Sequence, residues 1–408
     1  MSTDDPTGGD LLVRGIGELA TNDNAHPGTL GVIETAAMAM RDGRVVWTGP
    51  ETDLPAGLGD LPELDVAGRA VLPGFVDAHT HVVFAGDRSD EFARRLAGES
   101  YEQIMASGGG IMSTVAATRA ATTDDLAGSA RRRLTQMLAA GTTTVEVKSG
   151  YGLDLDTERR MLEVVAQLDR NVAVDVVPTF LAAHVVPPEW RDDRAGYVRL
   201  VVDEMLPALA ASARFCDVFC DEGAFTVEEA RLILDAGKRH GLEPRLHADQ
   251  LAHTGAAALA AEMKAASADH LDRASPVDLG ALAEAGTVAV LLPGVSFTMR
   301  LPYPDPARFA AAGVTLALAT DANPGTSYVL TMPFIIALAC LNMGMTPAAA
   351  VWSATRGGAL ALREPDKGWL GRGAVADAVV LDAPSHLHIP YRPDGDVVCK
   401  VVKSGRVV

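Results

Sequence analysis

The chain has 408 residues, 48% hydrophobic and 22% charged, with a formal net charge of −18. That balance is that of a globular protein with room for one large domain and a smaller one, and its sign opposes nucleic acid and anionic membranes as partners. No apolar run reaches the ~18 residues of a membrane span, the start MSTDDPTGGD is too acidic for a signal peptide, and four cysteines without a CxxC pair (Cys216, Cys220, Cys340, Cys399) predict a reducing, cytoplasmic setting without disulfides.

The first segment alternates like a strand pair. In ETAAMAMRDGRVVWTGP, Asp42-Gly43 separates two alternating runs, which predicts a hairpin. RAVLPGFVDAH is then the first of eight short apolar runs. The others are TTTVEVKSG, NVAVDVVPTF, FCDVFCDEG, PRLHADQ, SADHLD, TVAVLLPG and VTLALATDANPG. Helical stretches lie between them. TTDDLAGSARRRLTQMLAAG places Leu126, Ala130, Leu134 and Leu138 at four-residue spacing, with acids in the first turn and Gly141 at the end. Its Arg131-Arg132-Arg133 run reads as a solvated face. TVEEARLILDAGKRHG opens on Thr226 as N-cap and closes on Gly241. SPVDLGALAEAG has Ser275 before Pro276 and ends on Gly286.

Eight strands alternating with helices over roughly 250 residues predict an α/β fold, a (β/α)8 TIM barrel. A doubly wound sheet alternates too, but no glycine-rich loop follows the first strand. The tail returns to strands in GAVADAVVLDAP and GDVVCKVVKSGRVV. Residues 1–70 and 365–408 are therefore expected to form one small composite β-sandwich, with the barrel at 71–364 inserted between them.

Barrel enzymes carry their chemistry at the C-terminal ends of the strands. In chain order those ends bring Asp77, His79 and His81; Glu146, Lys148 and Tyr151; His184; Asp221 and Glu222; His247, Asp249 and Gln250; His270; and Asp321 with Asn323. His79 and His81 share one face of their strand, roughly 7 Å apart. Five of the ten histidines fall on one rim, and this clustering predicts a metal site. Neutral imidazoles with one carboxylate suit zinc or iron and leave a place for water. His26, His386 and His388 fall in the presumed sandwich, His240 ends a helix, and His253 reads equally as surface or support.

HTH on the first strand, single histidines on the fifth and sixth, and an aspartate on the eighth resemble the amidohydrolase superfamily. Within it, AGDRSDEF, KSGYGL, LAAHVVP, HADQ, ADHL and TDANPGTS are similar, in order and over nearly the whole chain, to the branch that hydrolyses 4-imidazolone-5-propanoate in histidine degradation. The resemblance implies that His79, His81, His247 and Asp321 bind one divalent or trivalent ion, zinc or iron. It implies cleavage of the cyclic amide C–N bond by metal-activated water, giving N-formimidoyl-L-glutamate. Asp321 and His270 would move protons, and His184 would donate to the oxyanion. Arg88 would grip the propanoate with its planar fork. Tyr151, His184 and Gln250 would complete the substrate pocket, with Asn323, Gly325 and Thr326 adding amide, backbone and hydroxyl donors. Glutamine cannot act as a base, so Gln250 is assigned to binding. Some members bridge two ions with a modified lysine on the fourth strand. Here that strand has none, so one ion is expected, and Lys148 on the second strand reads equally as an ion-pair partner of Glu146 or a nearby acid. The implied partners are a small anionic substrate and a second copy in a homodimer. The alternative is another amidohydrolase, such as a nucleobase or cyclic-amide deaminase or hydrolase.

Overall fold

The computed structural model describes residues 9–99, 103, 108–394 and 396–408; the acidic start at 1–8, and the expectation drawn from it, lie outside them. The chain opens with β1 (Leu11–Ala20), β2 (Val32–Arg41), β3 (Arg44–Pro50), β4 (Glu63–Asp65) and β5 (Ala70–Pro73). Asp42 and Gly43 make the predicted turn, both at positive φ (49° and 72°). The eight apolar runs then supply β6 (Phe75–Asp77), β7 (Thr142–Lys148), β8 (Asp175–Ala183), β9 (Phe215–Cys220), β10 (Glu243–Ala248), β11 (Ser267–His270), β12 (Val288–Leu291) and β13 (Leu316–Leu318). They form one sheet in chain order, and every neighbouring pair is parallel. The sheet closes just beyond its ends, where Thr80 and Ala322 form a parallel bridge. There His81 N donates to Ala322 O and Asp321 N to His79 O, each at 3.0 Å. This is the expected barrel.

The first apolar run does two jobs. Its β5 half pairs with the terminal sheet and its β6 half enters the barrel, with Gly74 between them. β14 (Ala378–Leu381), β15 (Val398–Lys403) and β16 (Arg406–Val407) complete the terminal body. Both termini build it, as one continuous mixed sheet in the order β16-β15-β14-β5-β1-β2-β3, with β4 beside β1. Val13, Ile16, Met38, Met40, Val71, Val380 and Val402 alternate along five of these strands and meet in one core. A bridge between Arg44 and Val375 curls the sheet around that core. The two bodies are pinned at the start of β8, where Asp175 pairs with Lys403 at 2.8 Å.

Side-chain caps fix the three helices that the sequence placed, and two further helices border the site. The first of concern is α1 (Ser89–Leu96), which has no buried residue. α2 (Thr123–Ala139) follows the Thr122 cap, and α3 (Leu155–Asn171) follows Asp154. α4 (Val227–Arg239) has a full capping box between Thr226 and Glu229. α5 (Pro276–Ala285) runs from Ser275 to Gly286 at φ 69°. One expectation on α2 is corrected. Arg131 and Arg132 are exposed, but Arg133 is buried. It shares the inner face with Ala130, Leu134 and Met137, its guanidinium lies 3.5 Å over the Phe84 ring, and its Nη1 donates to Val82 O at 2.7 Å. Among the described residues no helix is long and apolar enough to cross a membrane.

Candidate metal centre

The seam that closes the barrel also assembles the predicted ligands. β6 runs out into His79 and His81, β13 into Asp321, and His247 stands on β10 between them. His79 Nε2 and His81 Nε2 each lie 3.5 Å from Asp321 Oδ1, and His81 Nε2 lies 3.4 Å from His247 Nε2. Metal bonds of about 2.1 Å would set neighbouring donor atoms roughly 3.0–3.6 Å apart, which these separations match. The protonation pattern fits as well. His79 Nδ1 donates to Asp269 Oδ2 at 2.6 Å, and His247 Nδ1 stands 3.1 Å from Asp217 Oδ2. The Asp269 carboxylate holds the His79 ring proton on Nδ1, which leaves the Nε2 lone pair free to face the other donors. His79 Nε2 is buried with no hydrogen-bond partner. Burial, the main cause, holds His79 and His81 well below the usual imidazole range, in the neutral form that binds metal. Burial also pushes Asp321 up to about 7, and a cation beside it would restore its charge.

Beneath the ligands lies a layer of buried charge. Lys148 Nζ pairs with Glu146 at 2.7 Å and Asp217 at 2.8 Å, and all three are fully buried. Asp269 accepts from Ser267 Oγ at 2.5 Å and from Arg245 Nη2 at 3.2 Å. Lys148 is therefore the ion-pair partner of Glu146, and it reaches the ligand layer through Asp217. Burial acts against the charge of Asp217, yet His247 and Lys148 hold its carboxyl well below its ordinary range. Asp217, Asp269 and Arg245 are absent from the rim residues read from the sequence. Their signal was present as charge one or two residues from a rim histidine, or inside an apolar run.

The other rim residues divide into those that face the site and those that hold loops. His184 stacks on His81 with ring centroids 5.1 Å apart, and Tyr151 lies 5.4 Å from His184 and 5.8 Å from His81. His270 stands 5.6 Å from His79 and 5.4 Å from His247. It adopts φ 75°, and Asp321 φ 48°, so both of these strand-end residues carry strained backbone. His184 Nδ1 is 3.0 Å from Gly150 O, which can only accept. The ring proton is therefore on Nδ1, and burial lowers its pKa to about 3. A neutral ring in this state presents a lone pair at Nε2.

The loop after β13 brings a second correction. Asn323 Nδ2 donates to Asp321 O and Thr326 Oγ1, while Asn323 Oδ1 accepts the N–H groups of Gly325 and Thr326, both at 2.8 Å. The amide and backbone donors expected to face substrate are engaged inside the loop. Gly325 has a different use: a Cβ there would overlap Arg88 Nη1, so the bare backbone is the floor on which that guanidinium lies. Asp249 is likewise a loop holder, accepting from Thr254 N at 2.9 Å and Ala256 N at 3.2 Å. Asp221 accepts from the N–H groups of Gln250, Leu251 and Ala252, which fixes the backbone at Gln250, and Glu222 is exposed. Glu158, absent from the sequence-derived set, accepts from Gly150, Gly152 and Leu153 N–H and so shapes the Tyr151 loop. His253 lies at the surface on Asp278, and His386 is partly buried against Glu18.

The sequence profile of the Amidohydrolase family matches residues 70–408. A protein named imidazolonepropionase from Mycolicibacterium smegmatis is 49% identical over 399 residues, covering 98% of this chain and 97% of its own. Others of that name, from Salinispora arenicola and Haloarcula marismortui, are 51% and 48% identical and cover 97% and 98% of this chain, and 98% and 96% of their own. Among solved structures, N-isopropylammelide isopropylaminohydrolase from Burkholderia multivorans is similar with a TM-score of 0.70 and 22% identity, covering 98% of both chains. An adenosine deaminase from Xanthomonas campestris with bound zinc has a TM-score of 0.73 and 18% identity, covering 99% of this chain and 93% of its own. At such identity the structures support the fold alone.

Proposed function

The chain belongs to the amidohydrolase family, and on that premise we propose that its histidine-lined rim hydrolyses 4-imidazolone-5-propanoate to N-formimidoyl-L-glutamate. The observation that carries this reading is the spacing of donor atoms on His79, His81, His247 and Asp321, on a chain about half identical over nearly its full length to imidazolonepropionases. These four residues would hold one zinc or iron ion. Such an ion, when bound, polarises water so that hydroxide is available near pH ~7.

Asp321 takes the proton of the attacking water. His270, kept neutral by burial, relays that proton to the ring nitrogen as the C–N bond breaks and a C–O bond forms. His184 offers its Nε2 lone pair to an N–H of the ring, and Gln250 supplies both donor and acceptor. Tyr151 covers the ring, burial holding its phenol protonated as a donor. Arg88, lying on Gly325, takes the propanoate, and the Asn323–Thr326 turn gives that floor its shape. The four cysteines are unpaired, which supports work in a reducing compartment such as the cytoplasm. A homodimer belongs to the same reading, supported by the family resemblance.

Two outcomes test it. Purified protein is expected to consume the ultraviolet absorbance of the imidazolone, and removal of the ion with chelator is expected to slow this at least ~100-fold, reversibly on adding metal. Steady absorbance with the metal bound would reject the substrate. Gly325→Ala, which forces the Arg88 guanidinium off its floor, is expected to raise KM by about tenfold with metal content unchanged. An unaltered KM would remove Gly325 from the pocket.

A further inference from the structure

Arg88 is the carboxylate-binding cation of the proposed reaction, and the role inferred here for its neighbour Glu91 rests on that assignment. The Arg88 guanidinium projects from the residue before α1. One turn on, Glu91 takes the guanidinium side-on. Glu91 Oε2 accepts from Arg88 Nε at 2.9 Å and from Nη2 at 2.8 Å. Its Oε1 accepts from Gly110 N at 3.1 Å. Both side chains are mostly buried, 11% and 15% exposed. Gly110 adopts φ 79°, ψ −159°, a conformation that glycine almost alone can take, so its N–H is presented where a side-chain-bearing residue would resist. On the other side the guanidinium meets the bare backbone of Gly325. It is thus clamped between a carboxylate and a glycine. Among the described residues, Nη1 has no hydrogen-bond acceptor. A carboxylate arriving end-on finds one N–H of Nη1 and one of Nη2 as parallel donors.

We infer that Glu91 is a positioning residue for Arg88: it occupies the Nε–Nη2 side of the fork and so turns the Nη1–Nη2 edge toward the substrate carboxylate. Both Glu91 oxygens accept, one from the guanidinium and one from Gly110. An amide at this position can satisfy only one of the two, so Glu91→Gln is an intermediate variant and Glu91→Ala the full deletion.

Steady-state kinetics on the metal-loaded protein, with folding checked by Tm, tests this. Arg88→Ala is expected to raise KM on the order of 100-fold. Glu91→Ala is expected to raise KM about tenfold and Glu91→Gln about threefold, with kcat within about twofold of the parent. In the Arg88→Ala background, Glu91→Ala is expected to add nothing further to KM, since its effect runs through the guanidinium. An unchanged KM in Glu91→Ala, or an equal rise with and without Arg88, would overturn the inference while leaving Arg88 in its role. An unchanged KM in Arg88→Ala would overturn the role of Arg88 and the inference with it.

Discussion

Replacing His79 by alanine is expected to leave less than about a tenth of an equivalent of ion per chain and to lower kcat/KM by on the order of 10⁴. The reason lies on both sides of the ring. Its Nε2 faces Asp321 and is buried without a hydrogen-bond partner, so the loss would remove one donor from the set. Its Nδ1 satisfies Asp269, but Ser267 and Arg245 still hold that carboxylate. The cost in stability should therefore stay near 1–3 kcal/mol, the usual penalty for one lost buried partner. Elemental analysis and the ultraviolet assay check the first claim, and circular dichroism the second. Full metal occupancy would reject His79 as a ligand.

Lys148→Met is expected to do its damage through stability. The substitution keeps most of the length of the side chain and removes its charge. Glu146 and Asp217 then face each other across the barrel interior with their shared cation gone. Breaking a buried pair in this way typically destabilises by 3–5 kcal/mol. Asp217 also lies 3.1 Å from His247 Nδ1 and accepts from its backbone N–H, so metal affinity should fall ~10–100-fold, the range found when a supporting carboxylate is disturbed. Calorimetry and competition with a chelating dye measure the two effects. Adding Asp217→Asn to Lys148→Met should recover part of the stability but none of the affinity. A Tm matching that of the parent would show that the buried charges do not hold the site.

The fold was legible because each of its signals is local. Thr226 and Ser275 cap where they read as caps, Asp42-Gly43 turns where it reads as a turn, and all eight apolar runs became barrel strands. That His79, His81, His247 and Asp321 would come together was legible for the same reason, since strand ends share one rim. What escaped depends on pairing across the barrel. Asp217 sits in FCDVFC and reads as an interruption of a hydrophobic strand until Lys148 and His247 are beside it. Asp269 and Arg245 were overlooked because their neighbours, His270 and His247, drew the assignment. Yet Glu146 with Lys148, and Arg245 with His247, lie two apart, and that spacing in a strand puts charges on one face. Arg133 failed differently. A run of three arginines suggests solvent, but the 100° step of a helix turns the third into the stripe of Ala130, Leu134 and Met137. The donors of Asn323, Gly325 and Thr326 could not be apportioned from composition, because an asparagine before a turn can bind its own loop as readily as a ligand.

The seam between β6 and β13 has a consequence for how the molecule comes apart. Thr320 donates to Asp77 across a separation of 243 residues, and His79 and Asp321 meet beside it. An ion held by both would act as a reversible cross-link, tethering the two edges of the sheet much as a disulfide tethers a long loop. Opening the cylinder at that edge would first require releasing the ion, so the loaded chain should resist proteolysis far better than the chelated one.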